Sequence, residues 1–423
     1  MSRILLLLAL APLACAAEPA AEPAGGDWPC FRGPKRDGLS PDKGLLKEWP
    51  KDGPKLLWKA TGVGKGFSSV AVVGGKAFTM GVEGSKTYLY GIDAAKGGEP
   101  LWKTEMGAGG REPNGEGSRG TPTYDDGLVY GISSAGDLLC VTADKGEVKW
   151  KKSLSKDFGG SYAYWRYSES PLIDGGHLIC TPGGSKATMV CLGKKTGKEV
   201  WRTAGGKASG EAGYSSPVIS NAGGVKQYIQ LSQAGTFGVD ASNGKLLWHY
   251  ADFANNTANV PAQIPLGDQV LVVTGYRGGK GKAALLTLTR DGDKFTYKEE
   301  WSERGLLNKH GGVIVVGDLM FGDTDDSGSP YCAKWKTGET VWRKKRGSGS
   351  GSASLTYADG MLYIRYQSGV MALVPAGGAS YEEKGSFRIP GVSGPSWAHP
   401  VVIGGRLYLR EGDTVLCYDV KAR

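Results

Sequence analysis

The sequence predicts an all-β chain folded as an eight-bladed β-propeller of four-stranded blades, closed by an N-terminal strand that completes the last blade. Three observations predict it. The composition is rich in glycine and aromatics and shows no long helical periodicity; a glycine-to-tryptophan phrase recurs at steps of 41 to 53 residues; and that phrase is split between the two ends of the chain.

Glycine accounts for 69 of 423 residues, with 12 Trp and 19 Tyr. Such a mixture suits many short strands separated by turns. Length alone would suggest two or three domains, unless a repeat unites the chain. The formal charge of +9 raises a nucleic-acid or anionic-membrane reading. However, the basic residues come in ones and twos at turns, as in Lys194-Lys195 or Lys336, which reads as a solvated rim.

The repeat is cleanest in Asp240-Ala241-Ser242-Asn243-Gly244-Lys245-Leu246-Leu247-Trp248. Thr196-Gly197-Lys198-Glu199-Val200-Trp201, Thr337-Gly338-Glu339-Thr340-Val341-Trp342 and Gly146-Glu147-Val148-Lys149-Trp150 repeat it, and Gly98-Glu99-Pro100-Leu101-Trp102 is a fifth copy. Weaker copies end at Trp301 and, with an aromatic substitute, at Phe387. The steps from Trp102 are 48, 51, 47, 53, 41 and 45, a spacing of one four-stranded blade per repeat. Each unit opens on a small-residue or proline step, as in Thr121-Pro122, Ser170-Pro171, Ser216-Pro217 and His399-Pro400. Proline is tolerated at the first residue of a strand.

Ring closure supplies the count. The chain ends on Val415-Leu416-Cys417-Tyr418-Asp419-Val420, the front half of the phrase, and the missing half is Leu56-Leu57-Trp58. An N-terminal strand in the last blade removes an open sheet edge. Trp58, Trp102, Trp150, Trp201, Trp248, Trp301, Trp342 and Phe387 then mark eight blades in one domain, residues 55–423.

The Asp-x-x-x-Gly-x-x-x-Trp phrase resembles the tryptophan-docking motif of the pyrroloquinoline-quinone-repeat propeller family. That family includes quinoprotein dehydrogenases and the scaffold lipoprotein of the outer-membrane barrel-assembly machinery. The resemblance covers about residue 56 to the C-terminus and implies that each of the eight aromatics packs between neighbouring blades. Because enzymes and scaffolds share the fold, it does not choose between them.

The cysteines bear on that choice. The family's alcohol dehydrogenases carry two adjacent cysteines above the cofactor, and this sequence has no Cys-Cys pair. Cys140, Cys191, Cys332 and Cys417 occupy one repeat-equivalent position in four blades, which reads as a small buried filler. Cys180 faces Cys191 across a hairpin in this reading, and a disulfide there stays open. No C-x-x-C, H-E-x-x-H, G-x-S-x-G or phosphate-binding loop occurs. Asp323-Thr324-Asp325-Asp326-Ser327-Gly328 opens like a calcium loop, but its twelfth position is Lys334, so a plain turn is the better reading.

Arg3 and the apolar residues 4–14 suit a secretory signal, read over residues 1–17 with cleavage near Ala14-Cys15-Ala16. The expected location is the periplasm or cell envelope. Cys15 leaves a lipid anchor open beside ordinary cleavage, although Pro12 stands where an aliphatic residue is expected. Residues 18–54 read as a linker and irregular extension; Asp27-Trp28-Pro29-Cys30-Phe31-Arg32-Gly33-Pro34 is expected on the propeller surface, on either face.

The loops leading into the first strands surround one channel mouth and differ from blade to blade. Tyr164, Trp165, Arg166 and Glu169 crowd one loop, and Arg119, Tyr214, Asn255, Asn256, Asn259, Lys309, His310, Trp397 and His399 stand at comparable places elsewhere. Aromatics and arginine anchor binding interfaces, so these are candidate ligand or partner residues; the alternative is that they plug the channel. His177 and His249 lie in strand contexts and read as structural.

Two functions follow. The first is a non-catalytic, monomeric scaffold without cofactor, binding an envelope protein, peptide or glycan, with no nucleic acid and membrane contact only through Cys15. The second is a quinoprotein alcohol or sugar dehydrogenase with pyrroloquinoline quinone (PQQ) and calcium, using Arg119 or Arg166, Trp165 or Trp397, and Glu169 as base.

Overall fold

Tight glycine turns join strand to strand, and each successive group of four strands pairs antiparallel in chain order to make one blade. The computed structural model describes residues 26–109, 112–113, 117–255, 257–276, 281–324 and 326–423. The proposed signal segment and Cys15 lie outside the described residues.

Eight sheets result. The first blade is Ala71–Val73, Lys76–Glu83, Lys86–Asp93 and Trp102–Ala108; the next six follow within residues 123–153, 172–203, 218–250, 264–303, 314–343 and 353–388. The eighth combines Val401–Ile403, Arg406–Glu411 and Thr414–Asp419 with the N-terminal strand Lys55–Ala60. Lys55 stands opposite Asp419 and Trp58 opposite Cys417, so the split phrase is rejoined by backbone pairing. First strands of neighbouring blades touch one another, which places them on the inside of the ring. Among the described residues, no helix is long and apolar enough to cross a membrane.

The repeated phrase acts between blades. The Trp of one blade lies over the turn glycine of the next: a Cβ on Gly146, Gly197, Gly244 or Gly338 would collide with Trp102, Trp150, Trp201 or Trp301. The indole N–H then donates to a carbonyl of that same turn, from Trp102 to Ala143 at 3.1 Å, Trp150 to Lys194 at 2.9 Å, Trp201 to Ala241 at 3.1 Å and Trp301 to Trp335 at 3.0 Å. Phe387, which has no such donor, packs on Gly53. The fifth blade lacks the phrase's glycine because its outer hairpin runs on through Ala283–Asp291 and Lys294–Glu303, and Trp248 bonds instead to Gln227 in its own blade at 2.6 Å.

Gly197 shows why glycine is needed. Its φ is +65° and an added Cβ would lie 2.8 Å from the Trp150 ring. Gly197→Ala is therefore expected to cost about 2 kcal/mol, combining left-handed strain with loss of indole packing. Urea unfolding with an unchanged m-value would measure it; a midpoint equal to that of the parent would refute the docking role.

The cysteines are buried and unpaired among the described residues. Cys191 pairs in register with Ile179, whereas Cys180 pairs with Val190, so the two thiols point to opposite faces of their sheet. Cys180 joins the core shared with the second blade and Cys191 the core shared with the fourth. The open disulfide of the sequence reading is thus excluded by the two-residue period of a strand.

The N-terminal extension departs from expectation. Instead of lying on the surface, residues 28–40 loop into the central channel. Trp28, 1% exposed, pairs with Val72 on the first blade's inner strand, and Asp27 accepts from Gly74 in the turn beyond it. Arg32 reaches the sixth blade, donating to the carbonyls of Gly311 at 3.2 Å and Val313 at 2.6 Å. Arg36 donates to Ser170 and Pro171 of the third blade and to Pro217 of the fourth. Leu39–Ser40 then pairs in parallel with Tyr357 and Ala358, adding a fifth strand inside the seventh blade. Inner-strand carbonyls that face a channel need donors, and the two arginines supply them.

Candidate functional site

The first strand of each blade runs away from one channel mouth, so the small residue before it sits at that mouth. These hydroxyls bond from blade to blade. Ser69 N–H donates to Thr121 at 3.3 Å, Thr121 N–H to Ser170 at 2.8 Å and Ser170 N–H to Ser216 at 2.9 Å. Ser215 donates to the Pro261 carbonyl at 3.0 Å, and Ser69 to that of His399 at 2.6 Å. The small-residue and proline steps of the sequence thereby form a rigid collar.

Inside the collar is a cavity of about 370 Å³. Phe31 and Arg32 of the N-terminal loop close its floor, and Phe67, Trp165, Tyr214, Tyr276 and Trp397 make aromatic walls. The N-terminal loop fills the channel at depth, and the space above it is open at this mouth.

Of the thirteen candidates, Arg119, Trp165, Tyr214, Lys309, His310, Trp397 and His399 line the cavity. Tyr164 stands outside it, 69% exposed, with its ring edge-on to Trp165 at 5.1 Å. Arg166 adopts φ +65° and covers Tyr162 at 5.7 Å. Asn259 and Asn255 are absorbed in each other: Asn255 N–H donates to the Asn259 side chain at 2.9 Å, which donates back to the Asn255 carbonyl at 3.1 Å. Asn256 lies outside the described residues. Glu169 is buried behind the collar, accepting from Thr181 N–H and from Gln230, each at 3.0 Å. His249 is held in its strand by the Ala234 carbonyl at 2.7 Å.

The walls are braced from behind. Trp397 donates to Gln367 at 2.9 Å and lies 4.9 Å from the His310 ring, which contacts Ser352 through Nδ1 at 2.6 Å. Phe67 lies between Trp397, at 4.8 Å, and the Arg119 guanidinium, at 5.4 Å. Phe31, Arg32, Phe67 and Tyr276 were not anticipated. The signal for the first two was present, since Trp28, Phe31, Leu39 and Leu45 are too apolar for an exposed linker.

The charged groups on the lining are cationic, and carboxylates stand beside them: Asp37 by Arg32, Glu112 by Arg119 and Asp326 by Lys309. Arg32, Arg119 and Lys309 line the cavity, and no carboxylate does among the described residues. Lys309 is held by Asp326 at 2.5 Å, and Arg32 by carbonyls. His310 and His399 sit deep in the channel, and desolvation, helped by neighbouring cations, pushes each down to about 3. Both are neutral at physiological pH. Burial pushes Glu169 up to about 8, against the pull of its hydrogen bonds and Arg36.

These shifts predict a stability optimum. An unfolded histidine takes a proton near 6.5 while the folded one does not, so stability falls as pH drops from 6.5 towards 3. Glu169 acts oppositely: it is protonated when folded but ionised when unfolded between 4.5 and 8, so stability falls as pH rises through that window. Between 4.5 and 6.5, two histidines against one glutamate leave a net loss of roughly 1.4 kcal/mol per unit of falling pH, and from 6.5 to 8 Glu169 alone gives a similar loss per unit of rising pH. Urea midpoints at pH 5, 6.5 and 8 should peak in the middle, and His310→Gln/His399→Gln should remove the acid limb; an unaltered acid limb would refute the assignment.

Calcium does not fit this cavity. The ion takes six to eight oxygens with carboxylates among them, and here the lining charges are positive. Among the described residues no group of three or more His, Cys, Asp or Glu is placed to hold a metal. Asp323 and Asp326 serve Ala353 N–H and Lys309, and Asp325 lies outside the described residues.

The family described as outer membrane protein assembly factor BamB matches residues 85–344. Tetrathionate hydrolase of Acidithiobacillus ferrooxidans is 24% identical over 428 residues, covering 89% of this chain and 79% of that protein. Among solved structures, BamB from Moraxella catarrhalis is similar at a TM-score of 0.57 and 15% identity, over 84% of this chain and 95% of that one. Quinohemoprotein alcohol dehydrogenase from Comamonas testosteroni is similar at a TM-score of 0.64 and 13% identity, over 94% of this chain and 81% of that one. At these identities the structural likeness shows the fold alone.

Proposed function

The chain belongs to the family of outer membrane protein assembly factor BamB, and on that premise we propose that it is a non-catalytic binding propeller of the cell envelope whose site is the channel-mouth pocket. One observation carries the reading: an aromatic, cationic cavity is closed below by the chain's own N-terminal loop and held by a rigid collar. Preordered walls cut the entropic cost of capture. The candidate base Glu169 lies behind the wall, bonded to Thr181 and Gln230 rather than facing the cavity, and the lining offers no other carboxylate among the described residues. Both points weigh against proton abstraction from an alcohol.

The test is to isolate the full chain from its envelope fraction and record its native mass spectrum. A stoichiometric bound species is expected, lost in the Trp165→Ala/Trp397→Ala variant. In parallel, purified protein is given PQQ with calcium and an alcohol, or tetrathionate. Dye-linked oxidation or tetrathionate hydrolysis that disappears on Arg119→Gln would overturn the non-catalytic reading.

A further inference from the structure

We infer that the pocket takes an uncharged ring compound bearing a carbonyl or ether oxygen, a flat body of one or two rings that accepts hydrogen bonds from a wall of hydroxyls. The inference rests on the binding reading above and names the ligand class of the same site.

Shape comes first. At about 370 Å³ the cavity lies at the small end of ligand sites, and Phe31 and Arg32 close its floor. It therefore receives a small molecule, not the middle of a peptide or glycan chain. Phe67, Trp165 and Trp397 offer ring faces and edges to a flat apolar body. Charge gives no preference of sign. Each lining cation has a carboxylate beside it, Asp37 by Arg32, Glu112 by Arg119 and Asp326 by Lys309, and the two lining histidines are neutral. An ion of either sign would give up its hydration here and meet charges already balanced.

The hydroxyls decide the rest. Ser69 and Ser215 donate their protons to the carbonyls of His399 and Pro261. Thr121, Ser170 and Ser216 differ. Each accepts a backbone N–H from the preceding blade, at 3.3, 2.8 and 2.9 Å, and among the described residues its own O–H has no acceptor. The Tyr214 phenol is in the same state, accepting from Trp165 N–H at 3.0 Å. Ser168 is buried with no hydrogen-bond partner among the described residues. All five line the cavity, and they belong to the entries of three adjacent blades, the second to the fourth. A hydroxyl has one proton and two lone pairs; a spare lone pair is tolerated in a buried site more readily than a spare proton. This arc is therefore matched by a ligand that brings acceptor oxygens and no charge.

The experiment titrates the full chain by calorimetry with coumarin, naphthalene, 2-naphthoate and 1-methylquinolinium, which share a two-ring body and differ in acceptor and charge. Coumarin is expected to bind one to one, and naphthalene, which has no acceptor, about tenfold more weakly. Naphthoate and methylquinolinium should both bind more weakly than coumarin. Tyr214→Phe, and separately Ser216→Ala, should lower the coumarin-to-naphthalene ratio about fivefold. Naphthalene binding reports intact walls in each variant. Equal affinity for coumarin and naphthalene, tighter binding of either ion, or a ratio that neither variant lowers overturns the ligand class; the binding reading then stands, provided Trp165→Ala abolishes the probe binding. A chain whose native mass spectrum carries a bound species but which binds no probe overturns the class alone. Probe binding indifferent to Trp165→Ala and Trp397→Ala, or no bound species and no probe binding, overturns both.

Discussion

Arg36→Met is expected to lower the stability of the folded chain by about 3 kcal/mol, from the loss of three hydrogen bonds to buried carbonyls, of which that of Pro171 keeps a second donor in the Thr123 hydroxyl at 2.6 Å. The guanidinium, 5% exposed, bonds Ser170 and Pro217 at 3.1 Å each and Pro171 as well, so it joins the third and fourth blades from inside the channel. Methionine fills much of the volume but leaves the Ser170 and Pro217 carbonyls without the donor that Arg36 gave them. A local signature should accompany the global one: amide exchange over residues 28–40 is expected to speed up, because that loop loses one of its two deep attachments. An unchanged urea midpoint with unchanged exchange would show that the loop rests in the channel without supporting it.

The second large effect is expected at the seam between the seventh and eighth blades. Arg365 and Glu411 form an ion pair at 2.8 Å with side chains 1% and 7% exposed. Arg365 also donates to Ser396 at 3.0 Å and to the Ala398 carbonyl at 2.8 Å. Arg365→Met strands a buried carboxylate and should cost roughly 3–5 kcal/mol. Arg365→Met/Glu411→Gln removes the stranded charge and should recover part of that loss, which a double-mutant cycle by urea unfolding would read. A double variant less stable than the sum of the two singles would contradict this account.

The propeller was legible because its repeat has a mechanism. Gly197 and Trp150 are distant in sequence, yet the copies at Gly146, Gly197, Gly244 and Gly338 each place a glycine where the preceding blade's indole lies. The small residues before each first strand were legible as a pattern, and their role as the collar emerged only from Thr121, Ser170 and Ser216 meeting across blades. The site was legible in part. Trp165 and Trp397 stood out as unlike their counterparts, whereas Glu169 and Asn259 looked equally distinctive and are taken up by internal bonds. Strand alternation could have separated Cys180 from Cys191. Nothing periodic announces where residues 28–40 go, because their partners are single backbone groups of separate blades, carbonyls of the third, fourth and sixth and the Tyr357 N–H of the seventh, and not a repeated motif.

The path of that loop also fixes which way the molecule can look. Asp27 contacts the Val73–Lys76 turn region through Gly74, and Leu45 N–H meets Asp359 at the turn after the seventh blade's first strand. Both lie at the ends of first strands remote from the pocket. A tag or support attached to the described chain at Asp27 would therefore sit on the face away from the pocket and leave the open mouth accessible to solvent.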